Sequence, residues 1–201
     1  KDGKLSYELA QSYTTSNDQL TYTFKLRDAK FHNGDPVTAE DVKYTFERIL
    51  DPANGATFRN ELSVIDKIEV VDDKTVSFTL KEPYAPFVHY LALPESVIVS
   101  KKWVQEHNDF NQAPVGAGPF KFEKWTKGQE YVVTKFADYY KEGKPKLDKI
   151  RFVFYPDENT RVNALRAGDV DMIDYVPWKD VAMLESDKNL KLDNVSGPFM
   201  V

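Results

Sequence analysis

The chain has 201 residues, no cysteine, 27 Lys and Arg against 32 Asp and Glu, and a formal net charge of −5. With 41% hydrophobic and 29% charged residues, the composition is typical of a globular chain and excludes a disordered or collagen-like one. The lack of cysteine excludes disulfides, Cys-ligated zinc, iron–sulfur clusters and thiol nucleophiles, and the mildly acidic charge argues against a nucleic-acid partner.

The first half of the chain predicts strands and one well-capped helix. Apolar residues alternate over 21–27, the pattern of a half-buried strand. After a turn at 33–34, Thr38 and Asp41 predict a helix start, and Asp51 ends that helix because the residue before a proline avoids helical backbone. Further predicted elements are a hairpin with strands around 68–70 and 76–80, a short helix over about 84–91, and a helix that Ser100 caps and that ends at His107.

A loop-like stretch at 111–118 is the best candidate boundary, because the pattern of strands begins again after it. Gly168 predicts the end of a helix over 159–167, and Pro177 predicts the start of another that runs to about Ser186. Hairpins mixed with helices indicate an α+β or mixed α/β fold rather than a regular βαβ array. The predicted strands of this half cover 120–125, 130–136, 149–155, 171–174 and 190–195.

No group of residues has the spacing of a catalytic or metal site. The three histidines lie in separate predicted elements, without the i, i+4 spacing of a zinc motif. Asp169, Asp171 and Asp174 allow a carboxylate pair for acid–base chemistry, but such acids are more typical of solvated turns. We therefore predict no catalytic residue, no metal ligand and no cofactor.

Aromatic residues are the remaining candidates for function. The chain has 13 Phe, 11 Tyr and 3 Trp. Clusters beside predicted loops, such as Tyr84, Phe87, Tyr90 and the stretch 175–178, are explained either by core packing or by a binding cleft. The sequence pattern leaves these two interpretations open.

Three stretches, in order, resemble one protein family. The first is 20–27 (LTYTFKLR) followed by 30–42 (KFHNGDPVTAEDV), the second is 114–120 (PVGAGPF), and the third is 137–140 (ADYY) with 167–171 (AGDVD). They are similar to the family 5 extracellular solute-binding proteins, the oligopeptide-, dipeptide- and nickel-binding components of ABC importers. Ala117 and Tyr140 differ mildly from the residues usual in the family. Such differences bear on which subfamily the chain resembles and not on the family itself.

The resemblance implies part of lobe I of a two-lobe fold of the periplasmic-binding-protein type. Residues 1–117 would form the outer subdomain, and residues 118–201 part of the sheet subdomain beside the cleft. The second lobe would be absent, so we expect the chain to be a fragment of a longer protein. His32 and Asp41, within the most specific stretch, are expected to specify the fold rather than to contact ligand.

The resemblance also implies a function. The expected protein captures peptides outside the cytoplasmic membrane, in the periplasm or on a lipid anchor upstream of Lys1, and delivers them to ABC permease subunits. A nickel, metal-chelate or other small-solute binder is the alternative, and a carboxylate-dependent hydrolase is a distant one. The residues predicted to contact ligand are Tyr84, Phe87, Gly116, Tyr175, Trp178 and Phe199.

Overall fold

The computed structural model of the protein describes residues 5–107 and 113–193. They divide into two compact units. Unit 1 holds the described residues up to Lys124 together with Val132–Arg151, and unit 2 holds Trp125–Tyr131 and the described residues from Phe152 onward. The boundaries of these units differ from the predicted boundary after residue 117. That boundary was predicted for two subdomains of lobe I in the full-length protein, and it stays a prediction.

Unit 1 is built on an antiparallel sheet of four strands in the order β1-β2-β4-β3. Strands β2 and β4 bury every second side chain, and their register places Tyr22 opposite Phe78 and Phe24 opposite Val76. The predicted strand and hairpin are thus confirmed, whereas β1 was not predicted. The strands are β1 (Ala10–Thr15), β2 (Thr21–Leu26), β3 (Ile65–Asp72) and β4 (Thr75–Leu80).

Aromatic rings form the centre of the core of unit 1. Phe78 is fully buried, with its ring centroid 5.7 Å from Phe24, 5.2 Å from Phe46 and 5.7 Å from Phe87. The first two rings meet Phe78 nearly at right angles, an arrangement that the ring quadrupoles favour. Phe46 comes from helix α1 (Ala39–Leu50), whose buried stripe covers this side of the sheet.

The carboxylate of Asp41 organises the start of α1. Its Oδ2 accepts hydrogen bonds from the Thr38 N–H at 2.9 Å and the Thr38 hydroxyl at 2.8 Å, and its Oδ1 accepts one from the Lys101 N–H at 2.9 Å. Lys101 is the first residue of helix α3 (Lys101–His107), which Ser100 caps through the Trp103 N–H. One buried carboxylate therefore joins the starts of two helices, and the predicted helix boundaries are confirmed. Helix α2 (Phe87–Tyr90) lies between them in sequence and is shorter than predicted.

A second sheet has three strands in the order β5-β6-β7. Gly128, with φ +75°, forms the tight turn between the first two strands, as predicted. Each of the three strands begins in one unit and ends in the other. The strands are β5 (Phe120–Thr126), β6 (Glu130–Lys135) and β7 (Lys149–Val153).

Unit 2 contains two helices. Helix α4 (Glu158–Ala167) begins at Asp157, whose carboxylate accepts the Thr160 N–H at 2.8 Å, and ends at Gly168 with φ +79°. Helix α5 (Trp178–Ser186) follows Pro177. Both helices confirm the sequence prediction.

Two predicted strands of the second half are wrong over the residues that the structure describes. Residues 171–174 and 190–193 form no strand, and the remainder of the second prediction, 194–195, lies outside the described residues. Alternation of Asp with apolar residues imitates a strand pattern, but a strand also needs a hydrogen-bonding partner. Residues 171–174 belong to the connection between α4 and α5.

Candidate functional site

Tyr175 and Trp178 are the most exposed of the predicted ligand contacts that the structure describes. Tyr175 lies near the end of the connection from α4 to α5 and Trp178 is the first residue of α5, and 86% and 88% of their surfaces are accessible. Large aromatic residues usually bury most of their surface. Two such exposed rings, three residues apart, are a candidate contact surface.

The backbone of Tyr175 has an unusual conformation. Its φ of +51° lies in the left-handed region, which is unfavourable for bulky residues and is typically retained where surrounding contacts impose it. Arg161 of helix α4 supplies such a contact, because its Nη2 donates to the Tyr175 carbonyl at 3.0 Å. Arg161 was not among the predicted functional residues. The sequence holds no signal for it, since the contact spans 14 positions through an irregular connection.

A second contact fixes the start of α5. The Lys179 Nζ donates to the Asn159 Oδ1 at 2.6 Å. Asn159 and Arg161 both belong to the N-terminal part of α4. The two contacts hold the segment from Tyr175 to Lys179 against one end of one helix.

In unit 1, Gly116 lies in a loop that is fixed by His32. The His32 N–H donates to the Gly116 carbonyl at 2.8 Å, the Gly116 N–H donates to His32 Nδ1 at 3.3 Å, and His32 Nε2 lies 3.0 Å from the Gly118 carbonyl. The imidazole is half-buried and meets the Phe136 ring edge-on at 5.0 Å. Both backbone polar groups of Gly116 are therefore engaged within the protein, and these contacts agree with the expectation that His32 specifies the fold.

Tyr84 and Phe87 lie together at the start of α2, where the Phe87 N–H donates to the Tyr84 carbonyl. Phe87 is 0% exposed and packs on Tyr22 and Phe78. The prediction that Phe87 contacts ligand does not fit this position, because its ring belongs to the core and has no accessible surface. Tyr84 is half-buried and stacks on Tyr90, and the hydrogen bond to Tyr90 raises the pKa of its hydroxyl.

The predicted residues thus fall into separate groups. Tyr84 adjoins Phe87, and Gly116 is engaged by His32, both within unit 1. Tyr175 and Trp178 are held together in unit 2. Phe199, the sixth predicted residue, lies outside the described residues.

Unit 1 also contains an apolar cavity of about 740 Å³. Glu8 and Tyr140 bring polar groups to its lining, with the Tyr140 hydroxyl donating to the Glu8 carboxylate at 3.3 Å. Burial raises the pKa of Tyr140 far above its usual value, so this phenol stays neutral. None of the predicted ligand contacts among the described residues lines the cavity.

The candidates for metal binding and acid–base chemistry do not converge within the described ranges. No group of three or more His, Asp or Glu residues suited to a metal ion occurs among residues 5–107 and 113–193. Asp169, Asp171 and Asp174 are all exposed, as expected for solvated acids. The described part of the chain also has no helix with the length and apolar character needed to cross a membrane.

Comparison with known families identifies the chain. The model of the family described as bacterial extracellular solute-binding proteins, family 5 (middle), matches residues 4–200. The chain belongs to this family. The family resemblance inferred from the three sequence stretches is confirmed.

Individual family 5 proteins are similar over nearly the whole chain. The glutathione-binding protein GsiB of Escherichia coli O1:K1 is 38% identical over 194 residues, 96% of this chain and 38% of GsiB. The binding protein AgaA of A. tumefaciens R10, solved with agropinic acid, is 60% identical with a TM-score of 0.90, over 93% of this chain and 38% of AgaA. The periplasmic binding protein DppA of Helicobacter pylori, solved with the peptide STSA, is 32% identical with a TM-score of 0.82, over 90% of this chain and 40% of DppA.

These matches confirm the predicted fold class and the expectation of a partial chain. The family 5 chain spans about two fifths of the length of the relatives that it matches. Its structural neighbours are periplasmic binding proteins with the same mixed α/β architecture. The three relatives are named as binding proteins rather than as enzymes.

Proposed function

We propose that the full-length protein is the substrate-binding component of an ABC importer and captures a small solute outside the cytoplasmic membrane. The observation that carries this proposal is the family 5 match over residues 4–200. The implied partners are the permease subunits of the importer. A lipid anchor upstream of this chain, or a free periplasmic location, completes the proposal.

We propose a small organic acid of the agropinic acid type as the substrate class. AgaA, which binds agropinic acid, shares 60% identity with this chain. That identity is well above the 38% shared with the glutathione-binding GsiB and the 32% shared with the peptide-binding DppA.

A short peptide is the second candidate substrate, as predicted from the sequence. GsiB and DppA support it, since one is named for a tripeptide thiol and the other was solved with a peptide. Peptides are often held through main-chain hydrogen bonds, which suit varied side chains. The nickel alternative is weaker, because the three histidines lie apart: His32 contacts the Gly116 loop, His107 stacks on Trp103, and His89 belongs to α2.

Tyr175 and Trp178 are the side chains that we propose for ligand contact in this part of the protein. Their exposed rings are free to stack on or pack against a solute. Tyr84 and Gly116 remain candidates with smaller accessible surfaces. Phe199 stays a prediction from the sequence.

A thermal-shift titration of the full-length protein tests the function and the substrate together. A ligand that binds only the folded state raises the melting temperature in proportion to the logarithm of its concentration above Kd. We expect agropinic acid to raise it at lower concentration than glutathione or mixed short peptides. A response to peptides alone would make them the substrate, and the absence of any response to all of these solutes would refute the proposed function.

A further inference from the structure

The exposed segment that carries Tyr175 and Trp178 has little freedom of its own. Val176 precedes a proline and is therefore restricted to extended backbone, while Pro177 has φ −60° and ψ 136°. A change at the Tyr175 backbone is thus transmitted to Trp178 rather than absorbed in between. The backbone of Tyr175 consequently sets the direction in which both side chains leave the main chain.

That backbone conformation requires support from outside the segment. A tyrosine at φ +51° lacks the local side-chain hydrogen bonds that make Asn and Asp tolerant of this region. The bond from Arg161 Nη2 to the Tyr175 carbonyl is such support, and charged donors make the stronger hydrogen bonds. The Arg161 Nε is itself buried, without a hydrogen-bond partner among the described residues, so this end of the guanidinium is withdrawn from solvent while the residue as a whole is partly exposed.

Helix α4, which carries Arg161, is well anchored. Its start is capped by Asp157, its end by Gly168, and both Val162 and Ala164 are buried. The hydrogen bonds to the Thr160 N–H and hydroxyl lower the pKa of the Asp157 carboxyl, so the cap stays ionised at neutral pH. The contact between Asn159 and Lys179 secures the other end of the same segment.

We propose that Arg161 is a positioning residue for ligand binding: it holds the Tyr175 carbonyl so that the Tyr175 and Trp178 rings face the solute. This inference rests on the proposed function, because it takes the two rings as ligand contacts. Arg161 acts through the backbone of Tyr175 and does not itself contact the ligand.

A double-mutant cycle on the full-length protein, with agropinic acid as the probe, tests this role. We expect Arg161→Ala to weaken binding roughly tenfold, a change within the coupling energies measured between contacting residues such as Arg161 and Tyr175, and Arg161→Lys to weaken it less. Arg166→Ala is the matched control, since Arg166 is an exposed arginine of the same helix. In a Tyr175→Ala/Trp178→Ala background, which lacks both rings, Arg161→Ala should cause little further loss, whereas an equal loss in this background and in wild type would refute positioning.

A readout without ligand separates this inference from the proposed function. In protein labelled with 3-fluorotyrosine, the fluorine resonance of Tyr175, assigned through Tyr175→Phe, reports the environment of the ring. We expect Arg161→Ala to move or broaden this resonance and Arg166→Ala to leave it unchanged. An unchanged resonance in Arg161→Ala refutes the inference, whereas a failure of every solute to bind wild-type protein refutes the proposed function.

Discussion

His32 and Gly116 bind each other through two hydrogen bonds, one in each direction. The His32 N–H donates to the Gly116 carbonyl, and the Gly116 N–H donates to Nδ1 of the imidazole. Because Nδ1 accepts, the ring proton is assigned to Nε2, which then donates to the Gly118 carbonyl. The loop is therefore fixed by the neutral form of the histidine.

This geometry predicts a pH-dependent contribution to stability. Burial lowers the pKa of His32, and the nearby Lys121 lowers it further, although the hydrogen bond to Gly118 opposes them. A histidine has an ordinary pKa of about 6.5 when unfolded, so below that pH the unfolded state binds more protons than the folded state. The contribution of His32 is complete above about pH 6.5 and is lost as the pH falls through the lowered folded-state pKa.

Urea unfolding of wild type and His32→Gln at a series of pH values measures this contribution. We expect the free energy of unfolding of the wild type to fall between about pH 7 and pH 5 by more than that of the variant, whose amide does not titrate in this range. Parallel pH profiles would show that His32 is not the titrating group.

Replacement of Phe78 should be among the most destabilising changes in unit 1. Its ring is fully buried among Phe24, Phe46 and Phe87, so Phe78→Ala removes those contacts and leaves a cavity. The expected loss is about 3–5 kcal/mol in the free energy of unfolding. As a control, Val71→Ala on the neighbouring strand β3, where 62% of the side chain is exposed, should change it by less than about 0.5 kcal/mol.

Asp41 and Glu40 offer a matched pair of acids at the start of α1. Asp41→Ala leaves the part-buried N–H groups of Thr38 and Lys101 without their acceptor, and we expect a loss of about 2 kcal/mol. Glu40→Ala removes an exposed ion pair with the Lys101 Nζ, which contributes about 0–1 kcal/mol. Equal losses in chemical denaturation would contradict the role assigned to Asp41.

Two glycines should respond differently to alanine. Gly168 ends α4 with φ +79°, where a Cβ is unfavourable, so Gly168→Ala should destabilise the protein by roughly 1 kcal/mol. At Gly116 a Cβ would meet the His32 ring at ordinary contact distances, Cε1 at 3.5 Å and Nδ1 at 3.9 Å, and Gly116→Ala should be close to neutral. Melting temperatures of the two variants, compared with wild type, decide this prediction.

Local signals explain why α1 was predictable from sequence and β1 was not. Thr38, Asp41 and Pro52 define both ends of the helix within the chain itself. Strand β1 has the sequence AQSYTT, with Tyr13 as its single large apolar residue. Its existence depends on pairing with β2, which no local pattern reveals.

The aromatic residues of the candidate site could be predicted from the sequence, but the hydrogen bond that holds them in place could not. Tyr175 and Trp178 are visible as aromatics beside a loop, whereas the bond from Arg161 depends on how the connection between α4 and α5 folds back. Phe87 shows the opposite difficulty. Its sequence context is a predicted short helix beside a loop, which allows either a cleft or a core position, whereas its neighbours in space are the rings of the core.

The passage of β5, β6 and β7 between the two units has a consequence for dissecting the protein. The chain changes unit after Lys124, after Tyr131 and after Arg151. No single proteolytic cut therefore releases either unit as one continuous polypeptide. Isolating unit 1 would require an internal deletion of residues 125–131, with a short linker in their place, as well as truncation after Arg151.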